Sequence, residues 1–342
     1  MKIHNVLINV TERCRVGCRH CGYISSKRDR EMTADEMDSW VGQVCGYGVG
    51  QVIFTGGEAF ERFEMLARGV QSAARNGARS AVFTSAFWAK SPALARETLR
   101  GVSGLWKLYV STDKYHQERV PLEHVYYALD AAIEAGIPQV AVVITYAAQK
   151  DLEEVSGWYS RYGDRVEIVS QPLIPNKGMR RDESQSAAPL DLSPKSFEHS
   201  CFLETPLINP NGDIFACHIG KVDAHRSIRN SPYSLGSLRE SPFAGIMQNS
   251  LRRADYGFLL AHGPRGVAES MQVSPEAAKA LPRCRFTSGC DMCMSVMLTP
   301  PAAEAFRRHA ESSREATEIR LALMAGKELH RKQRDSEYKG PL

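Results

Sequence analysis

Three cysteines within eight residues, Cys14, Cys18 and Cys21, concentrate metal-binding chemistry near the start of this 342-residue chain. They share their segment with Gly17 and Gly22, so three thiolates can converge on one centre. Zinc accepts thiolates, but a closed zinc site takes four ligands. The nearest spare, Cys45, falls in a helical pattern where a core position suits it. Short-spaced cysteines also hold iron–sulfur clusters. Three of them leave one iron of a 4Fe–4S cluster open to a substrate or cofactor. A second group follows late in the chain: Cys201, Cys217, Cys284, Cys290 and Cys293. Cys201 and Cys217 flank Asn209-Pro210-Asn211-Gly212-Asp213, a tight turn between two strands. Cys290 and Cys293 offer two ligands from one short loop. Nine cysteines in all, an odd count in a large chain, argue against a disulfide-stapled scaffold.

The elements that must position these groups alternate. Short apolar runs at 7–10, 51–54, 80–84, 105–111, 139–146 and 166–170 predict strands. Helical patterns lie between them at 33–47, 60–75, 91–99, 122–135 and 150–159. Thr33 followed by Glu36 fits a capping box, and Asn76-Gly77 closes a helix. Six such βα units predict a parallel sheet covered by helices, as a partial barrel or an open sheet. The segment 171–200 is rich in proline, serine and charge and predicts an excursion between domains. Residues 201–293 show short strand signals near Leu207, Ile214 and Leu235, and predict a core too thin to fold without a staple or metal. Pro300 opens a last helix, to about Leu323.

Cys14-x3-Cys18-x2-Cys21 resembles the signature of the radical S-adenosylmethionine superfamily. The resemblance implies a 4Fe–4S cluster on these three cysteines, whose fourth iron takes the amino and carboxylate groups of S-adenosylmethionine. Reductive cleavage would then give a 5′-deoxyadenosyl radical that abstracts hydrogen. His20 occupies the place of an adenine-contacting aromatic. Gly56-Gly57-Glu58, after the second strand, resembles the family's Gly-Gly-Glu, which binds the methionine amino group. The two glycines would let the backbone approach a ligand closely, and Glu58 can accept from an amino group. Thr84-Ser85 ends the third strand where the family often has Thr-Asn-Gly; the Asn and Gly are missing here. Ser111-Thr112-Asp113 resembles the family's Ser-x-Asp and would face the ribose or the methionine. On the same loop His116 is a candidate proton handler. The implied fold is an α/β partial (β/α)6 TIM-like barrel, with its chemistry at the C-terminal strand ends.

The late cysteines resemble the SPASM, or shorter Twitch, extension that houses auxiliary iron–sulfur clusters. Leu235-Gly236-Ser237-Leu238 resembles a short motif between its cysteines. The resemblance implies one auxiliary 4Fe–4S cluster on Cys201, Cys217, Cys290 and Cys293, with zinc the alternative metal. Cys284 is left over. It is a spare or buried ligand, or a hydrogen donor to a substrate radical as in the superfamily's epimerases. The expected organisation is a radical SAM barrel at 1–180, a linker at 181–200, an auxiliary cluster domain at 201–299, and a C-terminal helix and tail at 300–342.

The net charge of +4, the 43% apolar share and the 24% charged share are those of an ordinary globular protein. They exclude a disordered or collagen-like chain, and no basic stripe argues for nucleic acid. Met1–Val10 reads as a strand rather than a signal peptide, and no window holds about 18 consecutive apolar residues. The cytoplasm is the expected compartment. The expected substrate is a small metabolite, sugar- or aminoglycoside-like, undergoing dehydrogenation, epimerisation or rearrangement. Only about 13 residues precede Cys14, which leaves no room there for a peptide-recognition domain. The alternatives are a maturase that crosslinks or epimerises a precursor peptide, and a non-catalytic electron-transfer protein. The expected electron donor is flavodoxin- or ferredoxin-like.

Overall fold

The computed structural model describes residues 3–21, 31–173, 191–197, 205–218 and 231–314, with 317, 318 and 321. Six strands, β1 (Asn5–Asn9), β2 (Gln51–Thr55), β3 (Arg79–Thr84), β4 (Lys107–Ser111), β5 (Gln139–Tyr146) and β6 (Glu167–Pro172), run parallel and lie side by side in chain order. Helices α1 (Ala34–Gly46), α2 (Phe63–Arg75), α3 (Pro92–Arg100), α4 (Leu122–Glu134) and α5 (Gln149–Gly157) connect them. The expected capping box is present at Thr33 and Glu36. Ser91 caps α3, with Pro92 in its first turn.

Strand alternation sorts side chains to two faces. Leu7, Ile53, Ala81, Tyr109, Ala141, Val143, Val169 and Leu207 share one face and pack on one another as their own core. Each neighbours the next across the sheet, and the cluster is built of strand residues alone, buried as in the interior of a partial barrel. At the N-terminal end of this interior, Lys107 pairs with Glu167 at 2.7 Å, its ammonium 4.6 Å from the Tyr109 ring centre. The opposite face meets the helices in a larger core. There Gly69 of α2 lets Phe54 approach so closely that a Cβ would overlap the ring.

The C-terminal strands do not form a separate sheet. β7 (Leu207–Ile208) pairs in parallel with the free edge of β1, and β8 (Asp213–Phe215) and β9 (Ser234–Ser237) follow antiparallel. The expectation of a thin core beyond residue 201 is corrected. Helices α6 (Phe243–Leu251), α7 (Ala254–Gln272), α8 (Pro275–Lys279), α9 (Gly289–Leu298) and α10 (Pro300–Ser312) bury Phe243, Tyr256, Phe258, Leu259, Met271 and Phe306 in one core continuous with the barrel helices. Pro264, just after Gly263 (φ 55°), bends α7, and such breakers hid the helix from a periodicity reading. No helix among the described residues is long and apolar enough to cross a membrane.

Candidate active site

The loop after β1 is fastened to the loop after β2 by backbone. Val10 N–H donates to Thr55 O, Gly57 N–H to Thr11 O and Glu58 N–H to Arg13 O, each at 2.8 Å. A Cβ on Gly56 would lie 2.6 Å from Thr11 O. One on Gly57 would fall on Arg13 O and lie 2.8 Å from Glu12 O. These glycines therefore serve the contact with the cysteine loop, a partner the sequence reading did not foresee.

The cysteine loop is held on every side. Thr11 Oγ1 accepts from Arg13 N–H and donates to Glu31, and Arg62 donates to the other Glu31 oxygen at 2.9 Å. Arg15 forms a forked pair with Glu61 beyond β2, and Arg19 pairs with Glu118 beyond β4. Gly17 supplies a positive φ of 65° in the turn. Cys14 and Cys18 are half-buried and Cys21 is exposed. Burial pushes the Cys14 thiol up, against the N–H groups of Gly17 and Val16. Burial, then the neighbouring sulfurs of Cys14 and Cys21, pushes Cys18 up to about 12. Cys18 thus feels the other two sulfurs, and Cys14 feels that of Cys21.

Glu58 is fully buried. Its carboxylate accepts from Thr84 Oγ1 (2.8 Å), Ser85 N–H (2.8 Å), Ser85 Oγ (2.6 Å) and Phe60 N–H (3.3 Å). Burial raises its pKa, and these donors offset only part of the rise. The end of β3 therefore positions Glu58. Ala86, the next residue, is the one non-glycine at positive φ (61°) among the described residues. A left-handed backbone on an alanine costs about 1–2 kcal/mol. Ser85→Ala is expected to weaken S-adenosylmethionine binding about tenfold, the worth of one hydrogen bond to a charged group. Equilibrium binding to the cluster-loaded protein measures this, and unchanged affinity would remove Ser85 from the cradle.

Ser111 closes β4, and Asp113 follows, fully buried. Asp113 Oδ1 accepts from the N–H groups of Tyr115 (2.9 Å) and His116 (2.8 Å). Its Oδ2 takes His116 Nδ1 (2.8 Å) and Thr145 N–H (3.3 Å). Gln117 accepts from Asp113 N–H and Thr112 Oγ1, while Thr112 also bonds the Tyr159 hydroxyl. His20 stacks on Tyr115 (4.9 Å) and meets His116 edge-on (4.7 Å). Burial, then His116, pushes His20 down to about 4, so it is neutral at pH 7. Burial raises Asp113, but His116 and His20 outweigh it and the net shift is downward.

Potential ligand atoms of His20, Asp113 and His116 lie within 4.8 Å of one another. His116 Nδ1 already occupies Asp113 Oδ2 directly, so a proton fills the place a cation would take. Lys114 turns outward to Asp151 and Glu154. Thr11, Glu31, Arg62 and Ala86 escaped the sequence reading. Only Ala86 carried a signal, as the third place of a known tripeptide.

Residues 8–156 match the model of the Radical SAM superfamily. These residues are a radical SAM domain. The match indicates an enzyme. The matched span includes the cysteine loop, Gly56–Glu58, Thr84-Ser85 and the Asp113–His116 loop. Among solved structures, native anSMEcpe with bound AdoMet and Cp18Cys peptide is similar at 12% identity and a TM-score of 0.52, over 93% of this chain and 99% of that one. Streptococcus suis SuiB bound to S-adenosylmethionine is similar at 13% identity and 0.43, over 71% of this chain and 65% of that one. Methylornithine synthase (PylB) is similar at 18% identity and 0.41, over 51% and 55%. No curated protein matches.

Cys217 is buried just after β8, and Cys290 and Cys293 sit three apart on α9. Cys284 is exposed. Thr287 Oγ1 donates to Leu173 O at 3.0 Å, tying the segment between Cys284 and Cys290 to the chain just after β6. Cys201 lies outside the described residues.

Proposed function

We propose that this radical SAM enzyme abstracts hydrogen from a residue of a peptide, rather than from the small metabolite placed first on sequence grounds. The observation that carries this is the likeness, along almost the whole of both chains, to a structure holding AdoMet and a peptide. The shortness of the segment before Cys14 therefore weighs little against a peptide.

The mouth of the barrel supports the reading. The strand faces that are apolar inside turn polar at their C-terminal ends, at Asn9, Thr55, Ser111, Thr145, Gln171 and Asn209. Asn9 Nδ2 donates to Asn209 Oδ1 (3.3 Å) and Gln171 Nε2 to Thr145 Oγ1 (3.1 Å). Uncharged amides and hydroxyls suit main-chain amides.

Cys14, Cys18 and Cys21 fit a 4Fe–4S cluster: three coupled sulfurs on one clamped loop with no fourth cysteine in it. When bound with S-adenosylmethionine, that cluster supplies the radical chemistry. His20, Gly56, Gly57, Glu58, Thr84, Ser85, Ser111 and Asp113 would surround the cofactor. Cys201, Cys217, Cys290 and Cys293 would hold a second cluster, leaving Cys284 as a thiol able to return hydrogen. A flavodoxin- or ferredoxin-like protein would supply electrons.

Anaerobic reconstitution should load about eight irons per chain, four for each cluster. A tryptic digest of perdeuterated protein, offered as a peptide pool, should then place deuterium in 5′-deoxyadenosine. Deuterium arriving from perdeuterated sugars or aminoglycosides, and not from peptides, would restore the metabolite reading.

A further inference from the structure

We infer that His116 is a catalytic acid–base, with Asp113 its positioning residue, and that it takes a proton from a hydroxyl, thiol or amide N–H of the substrate. The X–H bond breaks and its electron pair stays on X. A new N–H bond forms on Nε2, and the resulting imidazolium is stabilised by the Asp113 carboxylate.

Three observations support this. The first is orientation. Asp113 Oδ2 holds Nδ1 at 2.8 Å, which directs the lone pair of the neutral ring to Nε2. Asp113 cannot swing away, because two backbone N–H groups hold its other oxygen and its side chain is 1% exposed. The second is vacancy at the reacting atom. Among the described residues no hydrogen bond reaches Nε2, and the ring is 14% exposed. The neutral ring thus keeps its acceptor nitrogen open to a further partner. The third is place. The ring lies 4.7 Å from that of His20, the residue before Cys21, at the C-terminal end of β4.

The surroundings suit a base. Burial depresses the imidazolium, but Asp113 and, more weakly, Glu58 across the loop outweigh it, so the His116 pKa is raised. From the cysteine loop, neutral His20 meets it edge-on, and His20 in turn feels the Arg19–Glu118 pair and stacks on Tyr115.

The inference rests on the peptide reading only for its substrate, and two measurements separate them. Diethyl pyrocarbonate modifies neutral imidazole, and mass spectrometry follows His116 alone. Wild-type His116 should react only above the ordinary imidazole range. Asp113→Asn should accelerate its reaction several-fold at about pH 6, because loss of the carboxylate lowers the pKa. A His116 that the reagent never reaches, or that ignores Asp113→Asn, overturns the proposal. In the reconstituted holoenzyme with the perdeuterated peptide pool, His116→Gln should lower the ratio of altered peptide to deuterated 5′-deoxyadenosine by about 10²–10⁴-fold, the usual worth of acid–base catalysis. It should also remove the acidic limb of the pH profile. A ratio and profile like wild type would show His116 to be structural. If no peptide transfers deuterium, the peptide reading fails, and the reagent's access to His116 decides the dyad.

Discussion

Replacing Cys18 with alanine is expected to abolish reductive cleavage of S-adenosylmethionine, by at least about 10³-fold, and to remove about four irons per chain. Cys18 is the central case because its sulfur feels both Cys14 and Cys21. Two thiolates cannot retain a cluster that three already leave open at one iron. The fold should hardly notice, since the change deletes one atom from a half-buried side chain, worth on the order of 1 kcal/mol or less. Iron analysis, 5′-deoxyadenosine formation and thermal unfolding measured together separate these effects. Cleavage retained by the variant would overturn the assignment of the cysteine loop.

Gly57→Ala is expected to be nearly as damaging, by a different route. The added Cβ would fall on the carbonyl of Arg13, and backbone cannot swing aside as a side-chain tip can. The two loops must part, which breaks the bonds from Gly57 N–H to Thr11 O and from Glu58 N–H to Arg13 O. Two hydrogen bonds at about 1 kcal/mol each, plus overpacking of 1–3 kcal/mol, predict a local loss of roughly 3–5 kcal/mol. Because Glu58 and Cys14 move apart, S-adenosylmethionine affinity should fall at least about 100-fold, as such a loss allows. Gly42→Ala is the control. Its Cβ meets nothing within 4 Å in α1, and helix propensity predicts a gain of about 0.5–1 kcal/mol. Titration of both variants with S-adenosylmethionine decides. Wild-type affinity in Gly57→Ala would show that the loop contact does not position the site.

Much of the barrel was legible in local patterns. The apolar runs predicted all six parallel strands to within two residues at each end, because strand formation reports itself through alternation and flanking turns. Thr33 and Glu36 announced their helix because a capping box is a four-residue event. The C-terminal helices were harder. Their residues bury on several faces at once, and α7 carries a glycine–proline bend, so no single stripe marks them.

The cysteine spacing, the Gly-Gly-Glu after β2 and the Ser-x-Asp after β4 carried the resemblance to radical SAM proteins without any coordinates, because each is a short-range pattern. Tertiary structure alone decided what those residues touch. It set Gly57 against Arg13, 44 positions earlier, and closed Ser85 around Glu58, 27 positions earlier. It placed His20 of one loop on Tyr115 and His116 of another, and carried β7 back to pair with β1 across about 200 residues. The physical reason is that a strand's side-chain period is written in its own sequence. Which strand ends become neighbours depends on the curl of the sheet and the burial of its two faces. The left-handed Ala86 shows the difference most plainly. Its sequence argues against the conformation, and the clamp of Ser85 on buried Glu58 imposes it.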